Sequence, residues 1–303
     1  MEENQVSQTS LITAFCRAYH ARHDNPKIFN DFLANHLLTE EEHKLRVQRI
    51  MQGIKALNPE RAASFSDQNA ALAWFMQNVS AVSFTVSRSR YTEDNLDEAI
   101  KQGVQQYVIL GAGMDTFAFR RTDIANQLQV FEIDHPATQA YKRQRIAELG
   151  WKKPSNLHYV PVDFTKENLE KALKHSSYNS KALTFFSWLG VTYYLPREAV
   201  FDTLRIIADI APKGSSIVFD YFDTEARVSN NNRAQVGQLI AKQVSEPLKS
   251  FFDPVTLAGD LAGLSLRLHE NLSPLEIEKR YFQGRLDNYH APRHTHFAWA
   301  FVE

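Results

Sequence analysis

The chain predicts an α/β fold: a doubly wound, mostly parallel, seven-stranded sheet with an N-terminal helical cap. Three observations carry that prediction. After Gly103, short apolar runs alternate with amphipathic stretches, the pattern of strands buried on both faces and of the helices that cover them. The first run ends in Gly111-Ala112-Gly113, and the next ends in Asp134, 21 residues after Gly113. In a parallel sheet that spacing sets a tight turn beside a carboxylate at the carboxyl ends of neighbouring strands, where ribose hydroxyls can be held. Before Gly103 the apolar residues recur at helical spacing.

In the cap, residues 1–103, the segments 11–19 and 28–38 have that spacing. Thr39-Glu40-Glu41-Glu42 is a capping box, with Thr39 as N-cap and Glu42 reaching back, and it opens a helix to about Leu57. Asn58-Pro59 ends this helix, and another covers residues 60–77. Residues 87–92 read as a polar hinge before a helix near 95–102, which Gly103 terminates. In the core, residues 104–303, the predicted strands are 106–110, 129–133, 157–160, 183–187 and 215–221, with helices near 118–127, 136–149, 166–174 and 197–210. A polar excursion follows at 223–233, then a helix to about Glu246, a short helix at 254–262, and two closing strands at 264–269 and 295–302.

The bulk numbers narrow the partners. A net charge of −1 gives no electrostatic reason to expect nucleic acid or an anionic membrane. Cys16 is the single cysteine, which excludes an internal disulfide and fits a reducing compartment. The start is acidic and polar, unlike a signal peptide. The longest nearly apolar stretch, 183–195, is 13 residues and too short to span a bilayer. The expectation is a soluble cytoplasmic protein. The basic stretch 142–153 reads as a solvated helix face.

Gly111 and Gly113 let the backbone turn sharply and approach a ligand closely. A dinucleotide-binding G-x-G-x-x-G would need a third glycine at position 116, which is Thr116, and this counts against a nicotinamide-dependent oxidoreductase. Asp115 is a poor neighbour for a pyrophosphate. It suits a ligand that is cationic there, such as S-adenosylmethionine with its ammonium and sulfonium. Asp163, at the end of the run Val160-Pro161-Val162, could accept from an adenine amino group, with Phe164 as an apolar face. Taken alone, Asp163 is better read as the cap of the helix that follows.

Taken together, the motifs resemble the leucine carboxyl methyltransferase-like family of S-adenosylmethionine-dependent methyltransferases, in its bacterial branch. The likeness rests on Ser89-Arg90-Tyr91, Val108–Arg120, Phe131-Glu132-Ile133-Asp134-His135-Pro136, Val162-Asp163-Phe164, the segment Ser187–Pro196, and Arg280-Tyr281-Phe282-Gln283-Gly284-Arg285. It implies a Rossmann-like methyltransferase sheet with S-adenosylmethionine as cofactor. It further implies that Arg90 binds the methionine carboxylate, with Arg88 a near rival. Gly111, Ala112 and Gly113 would face the methionine part, Asp134 would hold the ribose, and Asp163 with Phe164 the adenine. Leu189 stands where many members carry a glutamate, which bears on the methionine end and raises the alternative of a protein that binds the cofactor without reacting. Lys27 and Asp31 fall where the family has an acidic motif near the pocket mouth, although surface helix positions are the plainer reading.

The expected reaction is O-methylation of a small molecule or a carboxylate. A carboxylate acceptor is already ionised, whereas an alcohol or phenol gains from a base. His290, His294, His296, Tyr193 and Tyr194 are the candidates, each explicable as structural, and none is assigned. No acid or cysteine accompanies the three histidines in sequence, so no metal site is expected.

Overall fold

The computed structural model describes residues 6–163, 168–227 and 247–303. Within them seven strands form one sheet: β1 (Gln106–Leu110), β2 (Gln129–Asp134), β3 (Leu157–Pro161), β4 (Thr184–Trp188), β5 (Ser216–Phe222), β6 (Leu266–Leu272) and β7 (Thr295–Val302). Their spatial order is β3-β2-β1-β4-β5-β7-β6. The first five are parallel, and β7 runs antiparallel between β5 and β6. The winding direction reverses between β1 and β4, so the crevice at their carboxyl ends is the topological switch point where such sheets bind ligands. β1 and β4 are buried along their whole length; their few polar side chains are hydrogen-bonded there, Gln106 to Thr184 and Ser187 to the Tyr107 hydroxyl.

Six helices form the cap: α1 (Gln8–His23), α2 (Ala34–Leu37), α3 (Glu40–Leu57), α4 (Pro59–Ala63), α5 (Gln68–Asn78) and α6 (Ser80–Lys101). The capping box at Thr39 forms in both directions. Three cap expectations need correcting. Of residues 28–38, only α2 is helical. The amide of Ile28 donates to Nε2 of buried His20, and Asp31 accepts from the Ala34 amide, so the chain turns inward before it coils. The helix expected over 60–77 is split, because Asp67 accepts from the Ala70 amide and starts a second helix. Residues 87–92 are not a hinge. α6 passes through them, with the hydroxyls of Ser87 and Ser89 folded back onto the carbonyls of Ser83 and Thr85.

The remaining α-helices among the described residues are α7 (Phe117–Arg120), α8 (Pro136–Glu148), α9 (Leu169–Lys174), α10 (Arg197–Ile210), α11 (Leu257–Ala262) and α12 (Pro274–Ile277). The helix expected over 118–127 shrinks to α7 and a 3-10 turn at Thr122–Ile124, because Arg121 leaves helical geometry with its guanidinium held by Asp97 and Asp123. Of the excursion and helix expected over 223–246, only the stretch to Arg227 lies within the described residues. No helix among the described residues is long and apolar enough to cross a membrane.

Strand alternation divides the interior. Tyr107, Phe185, Val218 and Phe297 face the cap and share one apolar core with Leu11, Phe15, Val82 and Val86. Val108, Phe131, Phe186, Ile217 and Phe219 face the other way, onto Val200, Leu204 and Ile207 of α10.

Candidate functional site

The chain leaves β1 at Gly111, where φ is +72°. The amides of Gly111 and Ala112 donate to the Ile133 carbonyl at 2.9 and 3.2 Å, which ties the turn to β2. A Cβ on Gly111 would lie 2.6 Å from Val191 Cγ2, and one on Gly113 (φ +52°) would lie 2.9 Å from Ser10 Cβ. Both positions therefore need glycine for conformation and for space. At the end of β2, Asp134 accepts from the Gly113 amide with one oxygen and from the His135 amide, at 2.6 Å, with the other. Burial pushes the Asp134 carboxyl above its ordinary range, against the pull of those two amides. A carboxylate has about four lone-pair sites, so about two stay available to a ligand. The Val162 amide donates to the Asp134 carbonyl at 2.8 Å, which brings half-buried Asp163 to the adjoining strand end. Phe164 lies outside the described residues. Asp115 caps the turn into α7, accepting from the Phe117 amide at 2.6 Å.

On the other side of the switch point, Leu189 and Gly190 follow β4. Leu189 is half-buried and packs against the cap-side core. Gly190 has φ +76°, and a Cβ there would lie 2.7 Å from Nη2 of Arg88. Arg88 is buried. Its Nη1 donates to Asp220 at 2.9 Å and to the Tyr193 hydroxyl at 3.3 Å, and its guanidinium lies 4.4 Å from the centre of the Phe84 ring. Burial alone would lower its basicity, but Asp220 and Tyr193 together outweigh that and keep it charged. Arg90 is elsewhere: its side chain is 52% exposed and pairs with Asp94 one turn on, at 2.5 Å. The structure thus sets Arg88, not Arg90, against the loop after β4. Asp220 was not anticipated, although an acid inside the apolar run Ser216–Phe222 was a visible signal.

Asp31 is also corrected. It is buried, not on the surface, and accepts from Arg17 Nε at 2.8 Å and from the Thr116 hydroxyl at 2.6 Å. Arg17 donates in turn to the Met114 carbonyl at 2.6 Å, so α1 is clamped directly onto the glycine loop. Position 116, where a dinucleotide motif would carry glycine, is committed to this clamp. Lys27 is exposed.

Among the candidate bases, His290 is exposed on Glu278 at 3.1 Å. An acid does accompany the other two: Asp223 lies 3.1 Å from His294 Nδ1 and 3.4 Å from His296 Nε2. Among the described residues no group of three or more His, Cys, Asp or Glu side chains is arranged to hold a metal. Tyr193 is held by Arg88, and burial pushes its phenol well up. Tyr194 lies against it, ring centres 4.6 Å apart. Lys142, expected on a solvated face, is buried against Glu132 at 2.6 Å.

A family model described as leucine carboxyl methyltransferase matches residues 10–208. The chain is 39% identical over 304 residues to YktD of Bacillus subtilis (strain 168), named as a candidate S-adenosyl-L-methionine-dependent methyltransferase, with 99% of each chain covered. A solved duf574 family protein from Streptomyces avermitilis aligns over 99% of both chains with a TM-score of 0.59 at 11% identity. A crystal structure from Thermobifida fusca, titled as a candidate methyltransferase, aligns over 84% of this chain and 94% of its own with a TM-score of 0.55 at 12% identity. At such low identity these two structures speak to the fold alone.

Proposed function

Because the chain belongs to the leucine carboxyl methyltransferase family, and is thereby an S-adenosylmethionine-dependent methyltransferase, we propose that it methylates oxygen on a small molecule or a carboxylate. The observation that supports the cofactor site is the direct bond between the Gly113 amide and Asp134 across the ends of β1 and β2. The residues suit a nucleoside with an amino-acid tail. Two glycines leave room that a Cβ would fill, a carboxylate keeps lone pairs for vicinal hydroxyls, and a buried arginine stands beyond the turn.

In this reading Asp134 holds the ribose and the backbone of Gly111 and Ala112 meets the methionine part. Asp163 and Phe164 take the adenine, and Leu189 lines the methionine end. Arg88 takes the role expected of Arg90, receiving the methionine carboxylate with N–H groups that have no acceptor among the described residues. The bound cofactor supplies an activated methyl on sulfur, whose leaving group is a neutral thioether. The protein's share is alignment and exclusion of water. A carboxylate acceptor needs no base, and neither nucleic acid nor membrane is implied as a partner.

Calorimetry with S-adenosylmethionine tests the site. Wild type is expected to bind, and Asp134→Asn to weaken binding about 10- to 100-fold, the loss for hydrogen bonds to a charged group. Absence of binding by the wild type, or no change in the variant, would overturn it. Incubating cell extract with methyl-labelled cofactor then tests the acceptor: label recovered as ester or ether supports oxygen transfer, and label on nitrogen or carbon refutes it.

A further inference from the structure

We propose that Asp220 is the positioning residue of the methionine end, holding Arg88 and the loop after β4 in the one arrangement that receives an amino-acid carboxylate. This rests on the cofactor reading above. Asp220 lies in β5, opposite Phe297 of β7, with Phe219 and Tyr221 on either side, and it is fully buried. A carboxylate in such a place is costly unless paired, and apolar packing would serve the strand at least as well.

Its contacts all converge on one place. One oxygen accepts from Arg88 Nη1 at 2.9 Å, the other accepts from the Gly190 amide at 2.7 Å, and its carbonyl accepts from the Thr192 hydroxyl at 2.6 Å. Arg88 comes from the cap, while Gly190 and Thr192 come from the loop after β4, the strand beside β1. Asp220 thus joins these two parts of the site through both of its carboxylate oxygens, beside the weaker link from Arg88 to the Tyr193 hydroxyl. It anchors the guanidinium by Nη1, Phe84 lies along its face, and the bare backbone of Gly190 lies against Nη2. An arginine fixed on one side presents its other N–H groups with little further loss of freedom, which is what recognition of a carboxylate demands.

The test compares two ligands on the full chain: S-adenosylmethionine, and 5′-methylthioadenosine, which keeps base, sugar and sulfur but lacks the amino-acid end. In Asp220→Asn the dissociation constant for S-adenosylmethionine is expected to rise by about tenfold or more, the loss of a charge-assisted anchor. That for 5′-methylthioadenosine should stay within about twofold, since its contacts are elsewhere. Gly190→Ala gives the same reading with Asp220 intact, because the new methyl presses on Arg88, and it decides the matter if Asp220→Asn does not fold. Equal weakening of both ligands would make Asp220 merely structural and overturn the proposal, as would unchanged binding of S-adenosylmethionine by a folded variant. A wild type that binds neither ligand removes the cofactor reading itself, whereas wild-type binding that is insensitive to both variants removes only the role of Asp220.

Discussion

Arg88 and Arg90 are two positions apart, and on an α-helix that is about 200° of rotation, so the two side chains leave opposite faces. α6 buries the face bearing Val82, Val86, Leu96 and Ala99 and carries Arg88 in with it, while Arg90 reaches solvent and Asp94. Arg90→Ala is therefore expected to leave the affinity for S-adenosylmethionine within about twofold, since an exposed pair is worth little. Arg88→Lys keeps the charge but loses the planar fork, and should weaken binding about tenfold or more in the same calorimetric titration. Equal effects of the two substitutions would refute the assignment. The glycines and Asp134 were legible because their spacing alone puts them together at two strand ends. The choice of arginine was not, because residues 87–92 were read as a hinge and a hinge has no helical phase. Asp220 was missed for a related reason: its partners lie 132 and 30 residues away in the chain, and no local pattern links them.

Among the elements, apolar runs located every strand, with β1 and β7 matching to the residue, because a strand buried on both faces admits little else. The side a helix buries was harder to read than its span. α8 ends one residue short of the expected 136–149, yet the side it turns inward carries Thr138, Gln139, Lys142 and Ile146, three of them polar, so hydropathy points the wrong way. What holds that side is Lys142 on Glu132 of β2, both almost fully buried, with Gln139 donating to the Glu132 carbonyl at 3.0 Å. Burial pushes the Glu132 carboxyl up to about 7 even though Lys142 pulls it down. At Glu132 desolvation, with the nearby acids Asp115 and Asp134, outweighs the attraction of Lys142, so removing that lysine leaves a buried acid with no offsetting charge. Lys142→Met should destabilise the fold by about 3–5 kcal/mol by leaving the acid unpaired. Adding Glu132→Leu should recover most of that loss, since an apolar replacement of a buried pair is often neutral or better. Urea unfolding of the two variants against wild type is the check, and a double variant as unstable as the single one would contradict it.

At the scale of the whole molecule, the cap and the sheet are one packed body whose joint runs through the candidate site. Arg17 of α1 and Thr116 beside the glycine loop meet on Asp31, and at the far end Tyr289 donates to Asp24 at 2.8 Å while Arg285 donates to the Pro26 carbonyl at 2.8 Å. The C-terminal segment thus grips the same N-terminal region that covers the glycine loop. Asp31 is the joint most open to measurement, because it titrates. Burial raises its carboxyl, but Arg17, the Thr116 hydroxyl and Arg120 more than offset this and hold it below the ordinary range. As pH falls through the ordinary carboxylate value of about 3.9, the unfolded chain takes up the proton first, so stability drops with falling pH. Above that value the contribution is fully present, and it is spent once pH passes below the folded value. Asp31→Asn should cost about 3–5 kcal/mol at pH 7, chiefly by stranding the Arg17 charge. The gap to wild type should then narrow as pH falls below about 4, since only wild type loses this interaction on acidification. Urea unfolding at a series of pH values reads both quantities. A gap that stays constant into acid would mean that Asp31 is held by packing and not by its charge, and the joint between cap and glycine loop would have to be explained without it.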